Sequence, residues 1–551
     1  MIPRGGSGGA GPRRRLGAWG FEGETYLPSP QMLAWLQRRI GASSPYPTLD
    51  LARLAAPTPQ PLPSLPVEQS ADALDRLTHA RGQGLTDLLR LRGGAVPALP
   101  DAVVRPQSAA EVESILRGCA AAGVRVIPWG GGTSVTGGVN VIPGAAPVVS
   151  LDLAALTGLQ SLDETSQLAV FGAGTSGPAI EAALRERGCT LGHFPQSWEL
   201  STLGGWVATR ASGQESLGYG DMHHMAAGLE LVAPNGRMDL PAFPSSAAGP
   251  DLRHLVLGSE GRLGVITRVT VRIRPLPPLV RAAATLLPSW QDGLDAVRAL
   301  VQQAVPLTLI RLSDEPETET AMAIGLSRHP WVAGLVRGGL RLRGIRGSGC
   351  LMLCGAAGDE RQVREALERT TAVLRAHGGV GLGTGPGRRW LAERFRHPYL
   401  RDALLDRGIA TDTLETAAPW SRVPQLADDV RRALSSALAG ENEATAVLCH
   451  VSHPYRDGAS LYFTFFFRCP TDVERAVARW ATLKRTATAA IVAGGGTLSH
   501  HHGVGSWHAP WFKEEVGEVG VRVLSAAART LDPAGILNPH VLLDPIDRLE
   551  V

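Results

Sequence analysis

The sequence predicts an α+β fold with two principal domains, and three observations support this prediction. The chain has 551 residues, which is too long for one ordinary hydrophobic core. From about residue 100 to residue 273, short apolar strands alternate with amphipathic helices around a glycine-rich loop. A second strand-and-helix pattern then favours an antiparallel sheet with helices on one face. We therefore expect four segments: an N-terminal extension with a disordered basic tail (1–95), a first domain (96–280), a cap domain (281–485) and a C-terminal segment (486–551).

The composition excludes several classes of protein. The 54 basic residues nearly balance the 51 acidic ones, so nothing favours nucleic acid as a partner. The chain lacks a run of eighteen apolar residues, and we expect no membrane-spanning helix. The six cysteines are scattered without paired zinc spacing, which favours free thiols in a reducing, cytoplasmic compartment. Peripheral contact with a membrane and pairing of two chains both stay open.

The first helix of the predicted first domain has clear start and stop signals. Ser108 and Glu111 form a capping box, and apolar residues then recur at helical spacing until Gly123. A helix is also predicted from Gly177-Pro178 to about Gly188. Strands are predicted at 124–127, 147–153, 168–172 and 265–273, with a hairpin at 229–240 whose Asn235-Gly236 pair indicates a type I′ turn.

The loop Pro128-Trp-Gly-Gly-Gly-Thr-Ser134 follows the predicted strand 124–127. Three successive glycines let the backbone approach a ligand closely, and bared N–H groups can bind a pyrophosphate. Such a loop on its own is equally typical of a tight turn. It is neither a Walker A motif nor a G-x-G-x-x-G motif that opens a long helix.

The predicted cap domain contains an aromatic strand. Strands are expected at 307–312, 349–355, 447–452 and 459–467, helices at 359–377 and 471–485, and a long flexible turn at 378–390. Alternation along the strand puts Leu461, Phe463, Phe465 and Phe467 on the core face. Tyr462 then lies on the other face, either as an ordinary sheet residue or as a functional phenol.

The C-terminal segment contains three consecutive histidines, His500, His501 and His502. In an extended segment, the first and third would point to one side and the second to the other. A surface cluster, a metal site and an anion site with acid–base function are all compatible with this pattern.

Four blocks of sequence lie at 128–134, 196–202, 209–212 and 260–266. In order and spacing they resemble the FAD-binding domain of the PCMH-type (vanillyl-alcohol oxidase) flavoprotein superfamily. The resemblance implies that FAD is the cofactor, and the absence of a histidine in the glycine loop implies that it is bound non-covalently. The implied cofactor-binding residues are Pro128, Trp129, Gly130, Gly131, Gly132, Thr133 and Ser134; Gln196, Ser197, Trp198, Glu199, Leu200, Ser201 and Thr202; Thr209, Arg210, Ala211 and Ser212; and Glu260, Gly261, Arg262, Leu263, Gly264, Val265 and Ile266.

Further motifs resemble the alkyldihydroxyacetonephosphate synthase family of ether-lipid synthesis, from about residue 16 to residue 540. They are WGF (19–21), IRL (310–312), YLRD (399–402), LETAAPW (414–420), DGASLYF (457–463) and LSHHHGVG (498–505). The resemblance implies an FAD-dependent transferase that exchanges the acyl chain of acyl-dihydroxyacetone phosphate for a fatty alcohol. It also implies that Tyr462 and His500–His502 are catalytic, and that Arg401 and Arg311 bind substrate.

Two other functions stay open at this point. The main alternative is an FAD-dependent oxidase or dehydrogenase of a D-2-hydroxy acid or a related alcohol, and a non-catalytic flavin-binding module is the third. The related dehydrogenases use a Glu-His-Gly motif to hold a metal, and His501 stands where that motif has its glutamate. The resemblance therefore implies no metal, and lipid-like small molecules as substrates.

Overall fold

The computed structural model describes residues 13–54, 56–325, 340, 342–345 and 347–545. The first twelve residues of the predicted basic tail lie outside the described residues. The chain forms two compact units, and each consists of two separate stretches of sequence. We call residues 1–48 and 277–497 the large-sheet unit, and residues 49–276 and 498–551 the glycine-loop unit.

The strands, numbered in chain order, are β1 (Gln69–Ser70), β2 (Ala102–Val104), β3 (Arg125–Trp129), β4 (Val148–Asp152), β5 (Leu159–Asp163), β6 (Leu168–Gly172), β7 (Cys189–Thr190), β8 (Ala226–Ala233), β9 (Gly236–Leu240), β10 (Val265–Arg272), β11 (Arg274–Pro275), β12 (Leu279–Leu287), β13 (Leu309–Ser313), β14 (Cys350–Gly358), β15 (Val380–Gly383), β16 (Ile409–Pro419), β17 (Ala446–Pro454) and β18 (Gly458–Arg468).

The helices are α1 (Pro30–Ile40), α2 (Ala73–Thr78), α3 (Leu85–Arg92), α4 (Ala109–Ala122), α5 (Gly177–Arg185), α6 (Leu203–Ala208), α7 (Ser216–Tyr219), α8 (Met222–Met225), α9 (Arg253–Val256), α10 (Trp290–Gln302), α11 (Glu315–Gly325), α12 (Glu360–Ala376), α13 (Gly385–Glu393), α14 (His397–Leu405), α15 (Val423–Ser436), α16 (Val473–Ala493) and α17 (Ala509–Leu531). Among the residues that the structure describes, none of these helices is both long and apolar enough to cross a bilayer.

The glycine-loop unit contains two main sheets. In the first, with strand order β1-β2-β4-β3, strands β2, β4 and β3 are parallel and β1 is antiparallel to β2. The second is antiparallel, with strand order β5-β6-β10-β8-β9. Helix α4 packs its apolar face into the core, as the sequence predicted: the Ser108 side chain accepts the N–H of Glu111, and Gly123 ends the helix at φ +68°.

The large-sheet unit is built on an antiparallel sheet with strand order β15-β12-β14-β13-β17-β18-β16 among the described residues. The predicted core residues of the aromatic strand β18 are all fully buried. Phe466, on the face of Tyr462 by alternation, is buried too, because α1 packs Trp35 and Leu36 in the same apolar cluster. Helices therefore cover part of the second face as well.

Two local predictions differ from the structure. The stretch expected to be a flexible turn, 378–390, forms the edge strand β15 and most of α13. The β8–β9 register places Ala233 opposite Gly236, so the hairpin loop is Pro234-Asn235. A type I′ turn is wrong there, because it needs a positive φ at both loop residues and the proline ring fixes a negative one.

The boundaries of the compact units also differ from the boundaries of the predicted segments. The expected boundary at 485/486 lies inside α16, which continues to Ala493. The expected extension 1–95 is shared between the two units, with the division at 48/49.

Candidate functional site: a flavin-binding unit and a polar sheet face

The three glycines of the loop 130–132 allow it to pack directly on the segment 200–202. A Cβ on Gly130 would lie 2.5 Å from Thr202 Oγ1, and a Cβ on Gly131 would lie 2.1 Å from the Leu200 carbonyl oxygen. Gly132 has φ +61°, and its Cβ would meet the Trp129 ring. Glycine is therefore required here for contact between two protein loops, in addition to the ligand approach that the sequence suggested.

Hydrogen bonds of Ser134 and a ring contact of Trp129 hold the loop in place. The Ser134 hydroxyl accepts the N–H of Gly138 at 3.0 Å, and its carbonyl accepts the N–H of Gln83 at 2.7 Å. Trp129 is buried, and its ring lies 5.0 Å from the His79 ring. Together these contacts hold the loop in position.

Four buried polar side chains near the predicted cofactor blocks have no hydrogen-bond partner among the described residues. They are the hydroxyls of Thr202, Ser212 and Ser259, and both ring nitrogens of His193. Burying polar groups in this way is costly unless a ligand supplies the missing bonds. The set fits a large polar cofactor such as FAD, because it offers hydroxyl donors and an imidazole around the glycine loop.

His193 was missed in the sequence analysis, although it lies three residues before Gln196. Its side chain is buried against Trp206, with ring centroids 4.5 Å apart, and a Cβ on Gly213 would lie 3.4 Å from the backbone Cα of His193. Burial, and to a lesser degree the nearby His501, lower the pKa of His193 to about 3, although Asp221 acts in the opposite direction. The imidazole is therefore neutral at physiological pH, with one donor and one acceptor nitrogen.

Several predicted cofactor residues have side chains that are engaged elsewhere. The Ser201 hydroxyl accepts from Trp206, and Thr209 Oγ1 donates to the Gly205 carbonyl. The exposed Arg210 contacts the His223 ring, and the Arg262 guanidinium donates to Leu537 and pairs with Asp544. At these positions the backbone, rather than the side chain, is expected to form hydrogen bonds to a cofactor.

The other predicted cofactor residues are divided between surface-facing and core positions. Thr133, Gln196, Ser197 and Glu199 are half-buried, whereas Leu200, Ala211, Leu263, Val265 and Ile266 are buried. Pro128, Trp198, Gly261 and Gly264 pack against neighbouring backbone and rings. The apolar members shape the unit rather than bind by hydrogen bonds.

Glu260 anchors the histidine segment within the same unit. Its Oε1 accepts the N–H of Val504 at 2.7 Å, and its Oε2 accepts the N–H of Gly505 at 2.8 Å. Gly503 has φ +84°, and a Cβ there would lie 2.9 Å from this carboxyl group. Burial raises the pKa of Glu260 to about 7, although the two N–H donors act to lower it.

The three histidines follow one another in a bend rather than in an extended segment. Nδ1 of His500 lies 2.9 Å from Nδ1 of His501, and the rings of His501 and His502 are 4.4 Å apart. The predicted alternation of sides is therefore wrong, because adjacent imidazoles contact one another. One proton shared between two ring nitrogens is a feature suited to proton transfer.

A second constellation lies on the polar face of the large sheet. Strand pairing places Tyr462 directly opposite His450 on one side and Glu415 on the other. The Tyr462 and His450 rings stack, with centroids 4.9 Å apart and planes 20° from parallel. Burial raises the pKa of Tyr462 well above 10, so the phenol keeps its proton at neutral pH.

The stacked His450 is buried, and it forms a polar triad with the half-buried Arg311 and Glu317. Arg311 Nη2 donates to Glu317 Oε1 at 2.6 Å, and Nη1 lies 2.9 Å from His450 Nε2. His450 Nδ1 lies 3.2 Å from Glu317 Oε2. Burial and Arg311 lower the pKa of His450, while Arg311 and His450 hold that of Glu317 well below its usual range despite burial. Arg311 is therefore a paired arginine beneath the polar face.

Arg401, the other predicted substrate residue, lies on α14 and is half-buried. Its Nε and Nη2 approach Oδ1 of the adjacent Asp402 at 3.3 and 3.4 Å. Asp402 is itself only 1% exposed, so the carboxylate that orients Arg401 is fixed inside the unit.

Two protein families match the chain in succession. The family described as "FAD binding domain" matches residues 100–239, and the family described as "FAD linked oxidases, C-terminal domain" matches residues 276–542. FAD is thus the cofactor of this class of enzyme, in agreement with the unpartnered polar groups around the glycine loop.

Comparison with individual proteins and solved structures shows which FAD-linked enzymes the chain resembles. The alkyldihydroxyacetonephosphate synthase of Dictyostelium discoideum is 32% identical over 489 residues, which cover 88% of this chain and 79% of the relative. A solved structure of an alkyldihydroxyacetonephosphate synthase superposes with a TM-score of 0.81 at 27% identity, covering 96% of this chain and 98% of that one. The structure of p-cresol methylhydroxylase shares the fold, with a TM-score of 0.64 at 15% identity over 86% of this chain and 94% of that one. The chain therefore belongs to the alkyldihydroxyacetonephosphate synthase family of FAD-linked enzymes.

Proposed function

We propose that the protein exchanges the acyl chain of acyl-dihydroxyacetone phosphate for a fatty alcohol. The ester C1–O bond breaks and a fatty acid leaves, and the alcohol oxygen forms a new C1–O bond and loses its proton. The observation that carries this proposal is the similarity to alkyldihydroxyacetonephosphate synthases along nearly the whole chain, which includes the segments bearing Tyr462 and the three histidines.

In the glycine-loop unit, FAD would be held by the glycine loop and by four side chains, Thr202, Ser212, Ser259 and His193. Their unpartnered hydroxyls and imidazole supply donors and acceptors to a polar cofactor. When bound, FAD supplies the electron-poor ring system that an exchange without net oxidation uses. Because PWGGGTS contains no histidine, we propose that the cofactor is held non-covalently.

Tyr462 is proposed as the proton donor and acceptor of the exchange. Its raised pKa keeps the phenol protonated, so that it first gives a proton and then recovers one from the incoming alcohol. The His450 ring fixes the phenol ring by stacking, and Glu317 and Arg311 fix His450 in turn. His500–His502 are proposed to polarise the leaving group, and Arg401 to hold the phosphate.

Product analysis tests the proposal. The FAD-loaded protein is incubated with acyl-dihydroxyacetone phosphate and a labelled long-chain alcohol, with and without a chelator. We expect a labelled ether product and one equivalent of released fatty acid, both unaffected by the chelator. Reduction of a dye by D-2-hydroxy acids without ether formation, lost with the chelator, would instead establish the oxidoreductase alternative and a metal site.

A further inference from the structure

Two sequence motifs 380 residues apart meet within the large-sheet unit. The segment Arg13–Glu24, which we call the strap, contains Trp19-Gly20-Phe21, and α14 contains Tyr399-Leu-Arg-Asp402. The strap folds back on itself: Arg15 N–H donates to the Gly20 carbonyl, and Glu22 N–H donates to the Arg13 carbonyl. Residues 17–20 of this loop are buried.

The strap is attached to α14 at both ends of the YLRD motif. Trp19 N–H donates to Asp402 Oδ2 at 2.5 Å, and Arg15 lies 3.9 Å from the same oxygen. The Tyr399 hydroxyl donates to Glu24 Oε2 at 2.6 Å. Gly20 has φ +87°, and a Cβ there would lie 2.1 Å from the Tyr399 ring, so only glycine fits this contact.

Asp402 joins the strap to Arg401. One carboxylate oxygen accepts from Trp19, and the other accepts from the Arg401 guanidinium. The carboxylate is almost fully buried, and both of its oxygens are used. Loss of the strap would leave a buried charge unsatisfied, and it would free the carboxylate to turn away from Arg401.

We propose that the strap orients a residue of the phosphate site: Trp19 and Gly20 of the strap, together with Asp402, position the guanidinium of Arg401 for the substrate's phosphate. This inference rests on the proposed function, in which Arg401 holds that phosphate. A planar guanidinium binds phosphate well only when its orientation is fixed in advance, which explains why a segment so far away in sequence is fitted to it.

The strap contains its own matched control. Gly20 and Gly23 both have left-handed backbone conformations, with φ +87° and +82°, but a Cβ on Gly23 would meet no atom of the described residues within 4 Å. Gly20→Ala and Gly23→Ala therefore carry a similar backbone cost, and only the first disturbs the contact with α14. Asp402→Asn is a third variant, which keeps the shape of the side chain and removes its charge.

The experiment compares the two substrates of the exchange. In Gly20→Ala and Asp402→Asn, we expect the KM for acyl-dihydroxyacetone phosphate to rise about tenfold or more, because charge-assisted bonds to phosphate are weakened. The KM for the fatty alcohol, which carries no phosphate, should stay within about twofold. Titration with dihydroxyacetone phosphate alone should show the same loss of affinity, and Gly23→Ala should match the wild type in both measurements.

Two outcomes would overturn the inference. Wild-type affinity for dihydroxyacetone phosphate in both Gly20→Ala and Asp402→Asn would show that the strap does not act on the phosphate. An equal rise in both KM values, together with loss of FAD, would show a merely structural role. If Gly20→Ala does not fold, Asp402→Asn alone decides. Failure of the wild type itself to bind dihydroxyacetone phosphate would instead refute the proposed function.

Discussion

The phenol of Tyr462 lies in a row of polar side chains that crosses three strands. Glu415 is its partner on β16, and His450 is its partner on β17. Burial and the nearby carboxylates raise its pKa, while a hydrogen bond with Thr413 and, more weakly, Arg311 act in the other direction. The phenol therefore enters a reaction in its protonated form, although the raised pKa by itself makes it a weaker acid than a free tyrosine.

Replacing Tyr462 by phenylalanine tests that role. Tyr462→Phe removes one oxygen and almost no volume, so folding and FAD content should persist. We expect turnover to fall by about 10²- to 10⁴-fold, the usual contribution of a positioned acid–base group. Tyr455→Phe is the control, because this tyrosine contacts Trp420 through its backbone carbonyl. Turnover near the wild-type value in Tyr462→Phe would show that the residue is only part of the sheet.

Glu260 is a buried acid with an unusual affinity for its proton. Burial raises its pKa from 4.5 to about 7, whereas in the unfolded chain it returns to the ordinary value. As the pH rises above 4.5, the unfolded chain therefore ionises first, and the stability of the folded state falls until about pH 7. The difference corresponds to about 3 kcal/mol at most.

Glu260→Gln should remove this dependence on pH. The free energy of unfolding of the wild type, measured relative to the variant, should be larger at pH 5 than at pH 8 by about 2 to 3 kcal/mol. Denaturant titrations at both values, with saturating FAD, provide the measurement. Parallel curves for the two proteins would mean that Glu260 titrates normally. The variant keeps only one acceptor oxygen for Val504 and Gly505, so it should be less stable at pH 5.

At this scale the sequence predicts some residues well and misses others. Alternation along a strand is a local signal, and it placed Tyr462 on the face opposite Phe463, Phe465 and Phe467. His450 and Glu317 carry no such signal, because their contact with Arg311 is created by pairing of β13 with β17. His193 was missed for the same reason, since only the folded unit reveals that its ring nitrogens lack partners.

At the scale of the elements, the glycine loop depends on close packing against the segment 200–202. The carbonyl of Leu200 would lie 2.1 Å from a Cβ on Gly131, and neither partner is the end of a flexible side chain. The loop or the segment 200–202 would have to move. Both carry groups that are proposed to bind FAD, so a steric change here should act on the cofactor first.

Gly131→Ala should weaken FAD binding. We expect a clear rise in the dissociation constant of FAD and a loss of about 1 to 3 kcal/mol in stability, which is typical of an overpacked site. Gly381→Ala is the control, because a Cβ there meets nothing within 4 Å. Fluorescence titration of the apoprotein with FAD provides the measurement. Equal affinity in the two variants would indicate that the loops can separate without harm to the cofactor site.

Helix α4 and the segment 378–393 show which elements a sequence can predict. The helix has a cap, an apolar stripe and a terminating glycine within sixteen residues, and all three signals are local. The segment 378–393 is rich in glycine, and its local signals favour a turn. In the structure its helix packs Gly387 against the backbone of Ala282 on β12, where a Cβ would lie 2.3 Å from the carbonyl oxygen. This tertiary contact is not visible in the local sequence, whereas the proline in the first turn of the helix is a local signal that the prediction did not use.

At the scale of the whole molecule, non-covalent attachment of FAD is the sharpest expectation. The loop contains no histidine, and His79, which contacts Trp129, has its ring nitrogens within hydrogen-bonding distance of Asp75 and Asp152. Acid precipitation of the yellow protein should therefore release about one FAD per chain into the supernatant. Flavin that remains in the pellet would reveal a covalent bond to another side chain.

The overall fold followed from the resemblance, whereas the limits of the compact units did not. Four short motifs were enough to indicate an FAD-binding domain, because their order and spacing match a known fold, and the strand-and-helix pattern of residues 281–485 indicated the antiparallel cap. Unit limits depend on contacts between distant segments. The strap belongs to the large sheet through α14, and the histidine segment belongs to the glycine-loop unit through Glu260.

Neither unit is encoded by one continuous stretch of the chain, since the backbone passes from one to the other at residues 48/49, 276/277 and 497/498. During translation, the strap emerges first but has no α14 to bind until some four hundred residues have been made. Glu260 in the glycine-loop unit likewise has no Val504 and Gly505 to donate to its carboxylate until those residues have been made. A cut at 48/49 would leave only the glycine-loop unit whole, and a cut at 497/498 only the large-sheet unit, so no single cut leaves both units complete. The glycine-loop unit cannot be completed until the residues from 498 onward have been made.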